Sequence, residues 1–148
     1  MKKTHVSSFS LLISLLLLLI NCEAQGQQQT SIIITGIKGN AGKIIVQIFR
    51  DETSYQEQIP YKKITFQKTG LTKGILNVQI QLEAGVYGFT MIDDENGNGK
   101  IDKNLIGIPK EGFGFSNFFM EKMKKPTFDD FKTDLKKHAE IIMKVKYL

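Results

Sequence analysis

Ten consecutive residues carry most of the chemistry this chain can offer: Asp93-Asp94-Glu95-Asn96-Gly97-Asn98-Gly99-Lys100-Ile101-Asp102. Counted from Asp94, oxygen-bearing side chains recur at positions 1, 3, 5 and 9, as Asp94, Asn96, Asn98 and Asp102. Gly99 falls at position 6, where the chain must turn sharply, and Lys100 at position 7, where such a loop uses a backbone carbonyl. A hard cation such as Ca²⁺ takes about six to eight oxygens at roughly 2.3–2.6 Å. Alternate residues of a tight loop turn their oxygens toward one centre, and glycine supplies the positive φ angles that close it. Ile101, apolar among polar neighbours, is expected to turn inward and pin the loop to the core.

The pattern departs from a helix-flanked Ca²⁺ loop in two ways. Position 12 is Leu105 rather than a bidentate Glu, and the residues before the loop read as a strand. The missing oxygen is expected from Asp93, Glu95, Glu111 or water. A plain Asn-Gly turn with no metal is the alternative for the same residues. Zinc is disfavoured, because the chain beyond its first residues holds one histidine, His138, and the single cysteine is Cys22.

Directly downstream runs Gly107-Ile108-Pro109-Lys110-Glu111-Gly112-Phe113-Gly114-Phe115-Ser116-Asn117. One reading is a ligand platform, with Phe113 and Phe115 offering aromatic faces and Glu111, Ser116 and Asn117 polar contacts. The plainer reading folds the phenylalanines back to cover one end of the domain, since exposed aromatic clusters promote association. A hydrolase is the alternative function. Two of Asp93, Asp94, Glu95, Asp102 and Glu111 would then act on a glycosidic bond, or Ser116 would pair with His138. No nucleophile-elbow motif accompanies that serine, and the carboxylates are better explained as metal ligands, so a non-enzymatic protein is expected.

The elements that must hold this loop read as strands. Ser31–Ile37 and Lys43–Phe49 flank the turn cluster Gly39-Asn40-Ala41-Gly42. Lys63–Gln67 is a weaker strand. In 75–82, Leu76, Val78, Ile80 and Leu82 alternate with polar residues, the period of a half-buried strand. Val86–Ile92 follows a tight connection, and Ile141, Met143, Val145 and Tyr147 alternate at the end. Helical signal is confined to a turn within 51–60 and another within 127–135, where Pro126-Thr127 precedes Asp130 in a capping pattern. The expected fold is an all-β antiparallel sandwich of about seven strands, with one long structured loop over 93–126 and at most one short helix.

The N-terminus points to export. Lys2 and Lys3 precede the apolar run Phe9–Ile20, too short to span a bilayer, and Cys22-Glu23-Ala24 places small residues where a signal peptidase reads. Residues 1–24 are therefore expected to be a signal peptide, 25–30 a flexible leader and 31–148 a single domain. The alternative is lipidation at Cys22, which would anchor the protein to a membrane. Removing Lys2, Lys3 and Glu23 from the 20 basic and 15 acidic residues leaves 18 and 14. The lysines are interleaved with acids, which with export argues against a nucleic-acid partner.

Val86-Tyr87, the D-x-N-x-N-G-K-x-D loop, G-x-P-x-E-G-x-G-x-S-N and Pro126-Thr127-Phe128 together resemble the bacterial family catalogued as domain of unknown function 2141, from about Ser31 to Tyr147. The resemblance implies an exported protein of the kind common in Bacteroidetes-type bacteria, periplasmic, surface-bound or secreted. It supports a β fold and supplies no catalytic residue. Gly85-Val86-Tyr87 also resembles the G-x-Y element of immunoglobulin-like and transthyretin-like sandwiches. The function expected from sequence is a Ca²⁺-binding envelope module whose partner is a glycan, a peptide or an envelope protein.

Overall fold

The computed structural model describes residues 26–148. The expected signal peptide and Cys22 lie outside the described residues. The described residues form eight strands and two short helices: β1 (Gln28–Thr35), β2 (Lys43–Phe49), α1 (Glu52–Gln56), β3 (Lys62–Gln67), β4 (Ile75–Leu82), β5 (Val86–Asp94), β6 (Gly112–Phe115), α2 (Phe128–Phe131), β7 (Lys132–Asp134) and β8 (Glu140–Lys144). Strands β4-β1-β8 make one sheet and β3-β2-β5-β6 the other, with β7 pairing the first half of β5 beside β6.

This is the expected two-sheet sandwich, with differences. Most pairs are antiparallel, but β1 and β8 run parallel, Ser31 opposite Glu140 through Thr35 opposite Lys144. Strand β1 begins at Gln28, so half of the expected leader is sheet: Gln28 pairs with Leu82, and Thr30 is fully buried opposite Ile80. Both candidate helical turns form, so there are two short helices among the described residues where at most one was expected. Asp51 caps α1 by accepting the Ser54 N–H at 2.7 Å. Asp130 accepts the Thr127 N–H at 2.7 Å and its hydroxyl at 2.8 Å, holding the start of α2.

Inward residues of the two sheets, among them Ile32, Ile34, Ile44, Val46, Phe89, Met91, Ile141 and Met143, form the main core. Strands β2 and β5 are buried on both faces because a second apolar layer covers the outside of their sheet. That layer contains Phe49, Tyr55, Phe113, Phe115, Met120, Phe128 and Phe131. Gly88 on β5 makes room for it, since a Cβ there would lie 2.5 Å from the Phe131 ring and 2.7 Å from that of Phe128.

Strand β6 lies inside the stretch expected to be loop. Its G-F-G-F sequence is a period-two pattern in which glycine takes the inward place. A Cβ on Gly112 would come within 2.6 Å of Tyr147 and Val145, and one on Gly114 within 2.9 Å of the Lys144 carbonyl. The segment after β8 can therefore pass close behind β6. Phe113 and Lys146 exchange backbone hydrogen bonds of 3.0 and 2.7 Å, joining the two sheets along one side.

Candidate metal centre

The acidic loop leaves the end of β5, and strand parity decides which of its first two carboxylates belongs to it. Side chains alternate across a strand. Phe89 and Met91 face the main core, so Asp93 points between the sheets and Asp94 points out. Asp93 is fully buried, 2.5 Å from the Lys68 ammonium, and accepts a hydrogen bond from the Tyr147 hydroxyl. Its charge is already matched on the far side of the strand, so the expectation that it adds a metal ligand is corrected.

Asp94 organises the loop. Its Oδ1 accepts the Asn98 N–H at 3.0 Å and its Oδ2 the Gly99 N–H at 2.9 Å. Gly97 and Gly99 both take positive φ, 75° and 84°, so the sharp turn expected at Gly99 is present. Gly42, in the β1–β2 connection, passes directly beneath this root; a Cβ there would collide with the Asp94 carbonyl oxygen.

Three of the predicted ligand side chains meet at one point. Asn96 Nδ2 lies 2.6 Å from Asp102 Oδ2, and Asn98 Nδ2 lies 3.0 Å from Asp102 Oδ1. The amide oxygens of these asparagines accept the N–H groups two residues on, Asn98 and Lys100, each at 3.0 Å. The amides facing Asp102, Asn98 first and then Asn96, hold its carboxyl below the usual carboxylate range. Lys100 enters through its backbone N–H, and Lys63 of β3 closes the loop from outside by donating to the Gly99 carbonyl at 2.7 Å. Among the described residues no three of His, Cys, Asp and Glu gather in the manner of a metal site; the convergence here depends on two asparagines.

Glu111 stands at the base of this arrangement. Its Oε2 accepts the Asp102 N–H at 2.9 Å, and the Asp102 carbonyl accepts the Lys110 N–H at 2.8 Å. Glu111 is only 5% exposed, and its Oε1 is buried with no hydrogen-bond partner among the described residues. Buried carboxylate oxygens are ordinarily paired, because desolvating the charge is costly. Glu95, the other reserve ligand, is exposed.

Beyond Asp102 the chain forms a small hairpin, with Lys103 bridging Pro109 and Asn104 Oδ1 accepting the N–H groups of Ile106 and Ile108. This hairpin, the outer face of β5 and β6, and the segment around Met120 and Met123 enclose a groove of about 410 Å³. Phe113 and Phe115, expected either as a platform or as cover, are each at least nine-tenths buried in the second apolar layer, and each shows its remaining surface to the groove.

The polar contacts expected of Ser116 and Asn117 are corrected. The Ser116 hydroxyl is fully buried, donating to the Phe131 carbonyl at 2.6 Å and accepting the Phe89 N–H at 2.9 Å. Asn117, at φ 52°, accepts the Ile142 N–H at 2.9 Å and gives its own N–H to the Ile142 carbonyl at 2.8 Å. Both side chains fasten β6 to its neighbours. The Ser116–His138 pair is likewise set aside, since that serine is committed to main-chain groups and His138 is exposed.

No curated protein and no solved structure matches the chain. One bacterial family matches residues 32–143, the span that contains both sheets, the acidic loop and Glu111. The chain belongs to that family, described as "Uncharacterized protein conserved in bacteria (DUF2141)".

Proposed function

We propose that this protein is an exported, non-enzymatic binding module whose loop 94–102 holds a structural Ca²⁺ ion, with Asp94, Asn96, Asn98, the Lys100 carbonyl and Asp102 as its loop ligands and Glu111 completing the set. The observation that carries the reading is Glu111. A carboxylate oxygen, buried and unpartnered, stands beside a loop whose side chains already converge, where a bare turn would need no such residue. The donor set is oxygen throughout, which suits a hard cation. The Asn96 and Asn98 amide oxygens each accept one backbone N–H and retain a second lone pair for a cation.

Three carboxylates and neutral oxygens put the expected Kd on the order of 10⁻⁴ M, the range of extracellular modules. Calorimetric titration of the chelator-dialysed protein with CaCl₂ tests this. Saturable heat is expected, with a stabilisation of about 2.7 kcal/mol when free Ca²⁺ reaches 100 times Kd. No heat and an unmoved melting temperature would refute it. Export is tested separately by mass spectrometry of the mature N-terminus, where a Gln25 start means a released protein and an acylated Cys22 an anchored one.

A further inference from the structure

We propose that the groove beside the loop binds the chain of a single anionic amphiphile, a medium- or long-chain carboxylate. This gives the binding module a ligand class. It rests on the binding part of the reading above and not on the metal.

The groove's volume, about 410 Å³, lies in the roughly 300–1,000 Å³ range of small-molecule sites. Its floor is the outer face of β5 and β6, at Ile92, Phe113 and Phe115, and Met120 and Met123 line it as well. Methionines suit an apolar guest of variable length, because their unbranched side chains repack easily. Ile106 and Met123 are 79% and 61% exposed where they line it, an apolar surface for a chain to cover.

The floor selects among guests. It is the face of a sheet, and the main-chain groups of Thr90–Asp93 and Gly112–Phe115 are already paired with one another. The far edge of β6 is taken by Lys146. A peptide laid here would bury its own N–H and C=O groups without partners, at a cost that an acyl chain does not incur. A glycan would set its hydroxyls against phenylalanine and isoleucine. The charge at the rim favours an anion. Lys103 and Lys125 line the groove, and neither forms a salt bridge among the described residues. The adjoining cavity, which shares Met120, Lys125 and Pro126 with the groove, is mixed in charge, with Lys122 and Lys124 beside Glu121 and Asp130, so the anion's contacts are Lys103 and Lys125.

Calorimetry with octanoate, decanoate and laurate, each below its micellar concentration, tests the inference in the full chain. One-site binding is expected, tightening about three- to fourfold per added methylene, with decanol about tenfold weaker than decanoate. Met123→Asp, at an exposed position, is expected to weaken decanoate at least tenfold. Lys103→Glu with Lys125→Glu is expected to weaken decanoate and leave decanol unchanged. Absence of saturable laurate binding overturns the proposal, as does an affinity indifferent to chain length or to Met123→Asp. Sedimentation with phosphatidylglycerol vesicles without binding of monomeric laurate also overturns it, in favour of a membrane surface. Laurate binding with no Ca²⁺ heat would leave this groove standing and remove only the metal.

Discussion

The Lys68 ammonium lies 2.5 Å from Asp93 Oδ1, and the two side chains are 2% and 0% exposed. The same ammonium donates to the Gly39 and Ala41 carbonyls at 2.9 and 2.5 Å, while Tyr147 donates to the other Asp93 oxygen. One buried charge pair thus ties β5 to the β1–β2 turn, to the residue after β3 and to the C-terminus. Removing one partner strands the other's charge in the interior. Asp93→Ala is expected to cost about 3–5 kcal/mol in urea unfolding, and the Lys68→Met, Asp93→Leu double variant much less. A single variant within about 1 kcal/mol of the parent would contradict this.

Glu111→Gln separates a ligand from a structural residue. Its amide oxygen can still accept the Asp102 N–H, so the metal-free protein is expected to be as stable as the parent or slightly more so, having lost a half-paired buried charge. Ca²⁺ affinity is expected to fall at least about tenfold, the equivalent of ~1.4 kcal/mol, whereas Glu95→Gln changes it little. Calorimetry on both variants decides the matter; equal affinities would remove Glu111 from the site.

Two tyrosines should resist ionisation. Burial, and then the hydrogen bond to Asp93, push the Tyr147 hydroxyl well above its ordinary value; burial, with Glu52 and Asp130 nearby, does the same to Tyr55. A folded-state pKa raised above the unfolded value of about 10 contributes stability that is complete below pH ~10 and lost as pH rises toward the folded value. An ultraviolet titration is expected to show Tyr55 and Tyr147 ionising only as the protein unfolds. Tyr147→Phe should reduce the alkaline loss of stability, and an unchanged alkaline limb would count against the assignment.

Gly88→Ala tests the second apolar layer. Its Cβ would press on Phe128 and Phe131, both on α2. Overpacking of this kind is expected to cost about 1–3 kcal/mol and to expose the amides of α2 to hydrogen exchange. Undisturbed exchange in 128–131 would show that the layer yields more readily than its packing implies.

Where a pattern is local, the sequence shows it. Leu76, Ile80 and Leu82 are buried along β4 as their alternation requires, and Asn96, Asn98 and Asp102 lie within hydrogen-bond reach of one another, while Asp94 holds the loop's backbone. What escaped was decided by distant partners. Gly112 and Gly114 read as loop punctuation, although they are small because the C-terminal segment runs behind them. Asp93 stands on paper as a reserve ligand beside Asp94, and the partner that claims it, Lys68 on the far side of β5, is distant in sequence. The two lobes of the Ser116 and Asn117 reading failed for the same reason: their hydrogen bonds go to Phe131, Phe89 and Ile142, far off in sequence.

The pairing of Ser31–Thr35 with Glu140–Lys144 also bears on the order of folding. Strand β1 lies between β4 and β8, and Ser31 and Glu140 are 109 residues apart in sequence. Contacts of such wide separation slow folding, so the docking of β8 onto β1 sets the pace at which this sheet closes.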